Sequence, residues 1–303
     1  MRIGIISGVI GLFVTLSVHA QKSDSIKSML LPDVVVTESY QQRQAKKSAL
    51  TVEVIEQDFL RKHFTGNFMQ AMENIPGVQA MDIGSGFSKP MIRGMGFNRI
   101  AVLENGIKQE GQQWGADHAP EVDMNGSSSV SVIKGSDAVR YGSDALGGII
   151  VMEQSPLPFR KRSLQGGISA LYGSNGRRYV ATGQLEGAFP GDFAWRLQGT
   201  WSNSGDRSTA HYLLNNTGTR EYHASASLGY DRGRLRVEGF YSRFYSRTGV
   251  MLSAQMGSED LLAERIRLGR PLHTDPFSRG IRAPCQEVTH QIAFGRMRLG
   301  MKK

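Results

Sequence analysis

The sequence predicts an α+β domain followed by antiparallel membrane-crossing β-strands that begin a β-barrel, and three observations carry that reading. An apolar run from Ile3 to Val18 opens the chain. A glycine-punctuated stretch at 130–151, V-S-V-I-K-G-S-D-A-V-R-Y-G-S-D-A-L-G-G-I-I-V, joins two short apolar runs through a polar turn. Beyond Pro156-Leu157-Pro158 the texture changes to alternation with a period of two. Composition sets the outer limits. A chain of 303 residues can hold two domains. With 40% hydrophobic residues and a mean hydropathy of −0.30, no run after residue 20 approaches the roughly 20 apolar residues of a spanning helix. The net charge of +9 comes from Lys and Arg scattered among strand-like segments, so no nucleic-acid partner is expected. The single cysteine, Cys285, excludes an internal disulfide.

Residues 1–20 read as a signal peptide. Arg2 precedes the apolar run, and Val18-His19-Ala20 offers small or aliphatic groups where a signal peptidase cuts. A retained membrane anchor is the other reading; the run is short and lacks a basic stop-transfer flank. Residues 21–50 are polar and weakly patterned except for Pro32-Asp33-Val34-Val35-Val36-Thr37-Glu38-Ser39. Three consecutive β-branched side chains favour an extended backbone with no local partner strand. Such a segment suits capture by β-augmentation, and an ordinary edge strand would read the same way.

Residues 51–155 read as the α+β domain. Thr51 to Ile55 alternates as a strand, with a short helical stretch after it at 56–62. Asn67 with Gln70 is a capping-box-like start for a helix whose Phe68, Met69, Met72 and Ile75 share one face. Pro76-Gly77 ends it. Ile100 to Leu103 is strand-like and runs into Asn105-Gly106, a strong hairpin signal. Gly94-Met95-Gly96 begins a dinucleotide fingerprint, but Arg99 stands where its third glycine belongs and a strand follows. Gly142 to Gly147 has P-loop spacing, yet Gly148 and Ile149 replace the Lys and Ser/Thr. Neither cradles phosphate. No acid/base pair, nucleophile triad or closed metal motif appears, so no catalytic residue is expected.

These stretches resemble the plug domain of TonB-dependent outer-membrane receptors. Residues 130–151 match the plug's closing signature, with Ser131 in place of an acidic residue and Ser136 in place of a proline. Ile75-Pro76-Gly77-Val78 matches its "I-P-G-V". Residues 92–106 match its "I-R-G-x-G-x-x-R-x-x-V-L-x-D-G", with Asn105 for the Asp. Residues 33–39 are similar to the family's TonB box. The resemblance implies that Asp33, Val34, Val35, Val36 and Thr37 engage the C-terminal domain of TonB and its inner-membrane energising complex. It implies that Arg93 and Lys134 contact carboxylates of the barrel wall, against the alternative that both are solvated. It also places the chain in the outer membrane, in contact with its lipid.

The polar stretch 109–123 supplies Glu110, Asp117, His118, Glu121 and Asp123 beside Trp114. Imidazole with carboxylates suits a first-row divalent ion. The resemblance makes this stretch and 82–90 apical loops, with Ser85, Phe87, Trp114, Asp117 and His118 facing the substrate. Asp117 and His118 are the metal-contacting pair; a polar loop without a ligand role fits the same residues. The implied substrate is a scarce metal or metal chelate: siderophore-iron, haem, zinc or a corrinoid. It is cargo, and no permanently bound cofactor is expected.

Residues 156–303 read as the first part of a barrel. Tyr179–Gly187, Phe193–Trp201 and Tyr222–Tyr230 alternate apolar with polar groups over the roughly 9–11 residues a membrane strand needs. Runs at 164–173, 234–246 and from about 287 bring the number to some six. Tyr179, Phe189, Trp201, Tyr222 and Tyr230 fall at run ends as interfacial aromatics would. A soluble β-sandwich would alternate likewise; the leader and the plug signature decide for a barrel. The family closes a barrel of about 22 strands, and six cannot enclose a plug. The expectation is an N-terminal fragment of such a receptor, with a transport-incompetent plug that only binds ligand or TonB as the alternative.

Overall fold

The computed structural model describes residues 52–56, 59, 72–83, 87–110, 121–159, 164–251, 258–271 and 274–300. The first part of these is organised on a five-stranded sheet. Its strands are β1 (Val52–Glu56), β4 (Ile100–Glu104), β5 (Ile107–Lys108), β6 (Ser129–Ile133) and β7 (Gly148–Glu153), in the order β1-β6-β7-β4-β5. The β4–β7 pair is parallel and the other pairs are antiparallel. A separate hairpin joins β2 (Val78–Ile83) to β3 (Phe87–Ile92).

Alternating residues of these strands bury opposite faces. Val102, Val130, Val132, Ile150 and Met152 pack on one side with Met72, Ile75 and Ile92. Ala101, Leu103, Ile133, Ile149 and Val151 pack on the other with Ala138 and Ala145. Each fully buried branched side chain contributes about 1.5–3 kcal/mol, so this double-sided core holds the domain. The predicted Asn105-Gly106 hairpin joins β4 to β5, with positive φ at both residues (+50° and +87°) as a tight turn of this kind requires. The Gly147-Gly148 pair has a steric cause. A Cβ on Gly148 would lie 2.8 Å from Ile92 Cδ1 and 2.9 Å from the Ile133 carbonyl, at a φ of +146°.

The second part is a six-stranded antiparallel sheet. It comprises β8 (Gln165–Gly173), β9 (Arg178–Phe189), β10 (Phe193–Ser204), β13 (Thr219–Arg232), β14 (Leu235–Gly249) and β15 (Cys285–Leu299), in the order β15-β14-β13-β10-β9-β8. The predicted alternation is kept. Along β10, Ala194, Arg196, Gln198, Thr200, Ser202 and Ser204 are buried on the inner face, while Leu197 is 52% exposed on the outer one. Cross-strand rows on the outer face are aromatic at two levels. One row joins Phe189, Phe193 and Tyr230, and the other joins Trp201, Tyr222 and Tyr245. Between them lie rows of Leu, Gly and Ala, such as Leu185–Leu197–Ala226. From Phe193 to Trp201 is about 26 Å along a strand, the scale of the apolar band of a membrane barrel.

The two ends of this sheet differ. Short turns close it beside Asp192 and Gly233, and longer loops lie at the other end. Those loops carry a small ribbon, β11 (Arg207–Ser208) with β12 (Leu213–Leu214), and one helix, α1 (Glu259–Leu268), capped by Ser258 and Gly269. They are knitted together by side chains. The Asn216 amide donates to the carbonyls of Val250, Arg282 and Pro284 at 2.9–3.1 Å. Buried Asp206 accepts from the backbone N–H groups of Thr217 and Ser278.

Candidate functional site

Lys134 follows the end of β6, and Gly135 comes next with a φ of +84°. The lysine side chain is buried, and its Nζ donates to the Pro76 carbonyl at 2.5 Å. Burial pushes the amine below the usual lysine range. The Glu53 carboxylate offsets part of that effect and the positive Arg93 adds to it. Arg93 sits at φ +50° in the turn after β3, and its N–H donates to the Gly77 carbonyl at 2.8 Å. The structure therefore gathers the two predicted cations with Pro76-Gly77. Among the described residues neither meets a carboxylate of the wall sheet. The amine of Lys134 is engaged inside the plug sheet's own domain.

Contacts across the seam between the two sheets come from other residues. Gln198 Nε2, on the inner face of β10, donates to Asp123 Oδ2 at 2.7 Å and to Thr200 Oγ1 at 2.9 Å. Ser225 on β13 donates to Gln198 Oε1, and Gln154 Nε2 reaches Ser225 Oγ at 3.5 Å. The Gln154 N–H also holds Asn105 Oδ1 at 2.9 Å, and Arg296 Nη2 on β15 donates to the Asn105 carbonyl at 3.2 Å. The short 124–126 turn is brought close enough that a Cβ on Gly126 would lie 3.1 Å from Gln198 Oε1. The firmest tie runs from wall to linker. Buried Arg196 donates to Glu186 Oε2 through Nε at 2.7 Å and to the carbonyls of Ser155 and Pro156 at 2.7 and 3.2 Å.

One further acidic group lies beside these contacts. Glu104, at the end of β4, accepts from Gln109 Nε2 at 3.1 Å. Burial first, then the nearby Asp123 carboxylate, pushes its pKa up to about 7. The other head atom of Gln109, Oε1, is buried without a hydrogen-bond partner among the described residues.

The predicted TonB-binding residues Asp33, Val34, Val35, Val36 and Thr37, and the predicted substrate-facing Ser85, Trp114, Asp117 and His118, lie outside the described residues. The backbone of Phe87 opens β3, paired with Ile83. Among the described residues no three His, Cys, Asp or Glu side chains gather as a metal site. Asp123, grouped by sequence with potential metal ligands, instead accepts the Asn125 N–H at 3.0 Å and faces Gln198. Asp123, Gln154, Arg196 and Gln198 are not legible as a set, because 75 residues separate the first from the last and no local pattern links them.

Comparison with known proteins agrees with this architecture. Residues 44–149 match the family described as TonB-dependent Receptor Plug Domain. Over 215 residues the chain is 24% identical to a vitamin B12 transporter, BtuB, of Photobacterium profundum, covering 69% of this chain and 35% of the relative. It is 28% identical over 146 residues to a hemin receptor of Yersinia enterocolitica, covering 46% and 21%. Among solved structures, the ferric-catecholate import receptor Fiu from E. coli K12 aligns with a TM-score of 0.60 at 19% identity, covering 82% of this chain and 36% of that one. The copper transporter OprC aligns at 0.56 with 20% identity, covering 65% and 31%. The chain thus spans about a third or less of the length of the curated relatives it matches.

Proposed function

We infer that this chain, which carries a TonB-dependent receptor plug domain joined to antiparallel strands like those that start the family's barrel, belongs to an energised outer-membrane importer of a scarce metal-containing substrate. The observation that supports this most directly is the seam. A sheet with apolar faces on both sides stands against the polar inner face of a sheet whose apolar side chains point outward. That is what a stopper against part of a pore wall would require. The stopper is anchored at its exit by Arg196 and elsewhere by amide and hydroxyl contacts that exchange readily with water.

In this reading TonB, driven from the inner membrane, captures the extended segment Asp33–Thr37 by strand addition and pulls on the plug. Lys134 and Arg93 keep the plug's Pro76-Gly77 corner in register while it is loaded. The substrate is a metal chelate held by the apical residues Ser85, Phe87, Trp114, Asp117 and His118, with Asp117 and His118 nearest the metal. Relatives named as a vitamin B12 transporter and a hemin receptor favour a chelate over a bare ion.

Two measurements test the proposal. A peptide of residues 33–39 should bind a TonB C-terminal domain by titration calorimetry, and Val35→Pro, which removes a main-chain donor, should abolish the heat. Replacing Asp117 and His118 together by Ala should weaken haem or cobalamin binding by at least about tenfold, a loss of roughly 1.4 kcal/mol. Unchanged affinity removes the metal-contacting role.

A further inference from the structure

The outer face of the six-stranded sheet carries its charges unequally. At the short-turn end, Arg232 of this face lies 3.9 Å from the Asp192 carboxylate. Arg236, with Asp231 and Glu238, belongs to the inner face. At the long-loop end the balance tips. The row immediately beyond the Trp201–Tyr222–Tyr245 girdle reads Tyr179, Asn203, Arg220, Arg247 and Glu287 across the strands. Arg220 and Arg247 are direct cross-strand partners, a like-charge juxtaposition that costs stability unless an anion bridges it. Arg279 joins the row from the loop side, donating to Asn203 Oδ1 at 3.0 Å with its guanidinium 4.9 Å from the Tyr179 ring centroid. Arg243 lies on the same face just inside the girdle, beside Ala224 and Gln291. Against these four cations the row offers one carboxylate among the described residues, Glu287, 3.9 Å from Arg247 Nε.

Cations that border an aromatic girdle and sit above an apolar band stand at the depth of lipid headgroups. Arginine's planar fork suits phosphate oxygens, and a headgroup phosphate between Arg220 and Arg247 would relieve their repulsion. We propose that the long-loop end of the outer wall, at Arg220, Arg243, Arg247 and Arg279, is a docking surface for phosphate-bearing lipid headgroups of the leaflet on that side. The occupant is a lipid and not a free anion, because the cations continue upward from the aliphatic band that its chains would cover. The proposal rests on the reading of this sheet as a membrane wall.

The test uses the 303-residue chain in zwitterionic micelles doped equally with phosphatidic acid and phosphatidylcholine of the same acyl chains, with retained lipid counted by native mass spectrometry. The wild-type chain should retain phosphatidic acid over phosphatidylcholine by about tenfold. The triple variant Arg220→Gln/Arg243→Gln/Arg247→Gln should fall to about twofold or less. The corresponding triple Lys variant, which keeps the charge, should retain most of the preference. Arg232→Gln/Arg234→Gln at the other end should leave it unchanged. Persistence of the preference in the Gln variant, or its loss in the Arg232/Arg234 variant, overturns the proposal. So does inorganic phosphate that displaces the lipid at equal concentration, which marks a free-anion site. Equal retention of both lipids overturns the headgroup proposal alone. If neither lipid is retained, the membrane wall and the proposal fall together.

Discussion

The two sheets of this protein are built from the same alternating strands and solve opposite solvent problems. In the plug sheet, β4, β6 and β7 bury both of their faces, and the residues that touch water lie at edges and turns. In the wall sheet many large apolar side chains are exposed: Ile168 is 91% and Leu228 56% accessible, while Gln198, Thr200 and Ser202 are buried. A period of two therefore fixes which residues share a face, and the surroundings fix which face is the inside. Glycines also differ from site to site. Gly148 is required because neighbours crowd it, whereas a Cβ on Gly183 of β9 would meet open space.

That contrast can be broken at several points. Gly148→Val should give the largest effect, about 3–5 kcal/mol, because it combines a forbidden φ with overlap against Ile92 and Ile133. Gly183→Ala should change urea unfolding by no more than about 0.5 kcal/mol. A similar penalty at both sites would mean that the sheets do not differ in packing as described. Next in size, Leu197→Arg on the outer face should cost about 2–4 kcal/mol in lipid vesicles, measured by urea titration, and far less in polar solution.

Glu104 gives a pH test confined to the plug side. Its pKa is raised from 4.5 in the open chain to about 7 in the folded one, so the folded state holds the proton more tightly. Its neutral form is compatible with the fold at pH below 4.5. Stability then falls as pH rises from 4.5 through about 7 and levels off above, by about 3 kcal/mol in all. Glu104→Gln should remove that slope from a plot of denaturant midpoint against pH; an unchanged slope would place the titration elsewhere. A smaller loss is expected at the seam. Asp123→Ala should cost about 1–2 kcal/mol, read as faster hydrogen exchange in 121–127 with the strands of the wall unaffected.

Local chemistry makes much of this fold legible. Asn105-Gly106 specifies its turn, Ile75-Pro76-Gly77 closes onto the core through Ile75, and the six alternating runs appear as six strands. Long-range pairing is the part hidden from sequence. The resemblance directs Lys134 to the wall; among the described residues its amine meets the Pro76 carbonyl, 58 residues earlier, a pairing that no local pattern announces. The tie between wall and plug runs the other way, from Arg196 to the linker carbonyls of Ser155 and Pro156, which carry no side-chain signal. Polar-in alternation also weakens toward β14 and β15, whose inner face carries Phe240, Ile292 and Phe294.

The joint at Gln198, Ser225 and Gln154 has a mechanical meaning. Each of its partners is an uncharged amide or hydroxyl on at least one side, so a water molecule can take the place of either member. Surfaces that meet through such groups are held by contacts that solvent can replace one at a time, the chemistry of a joint and not of a core.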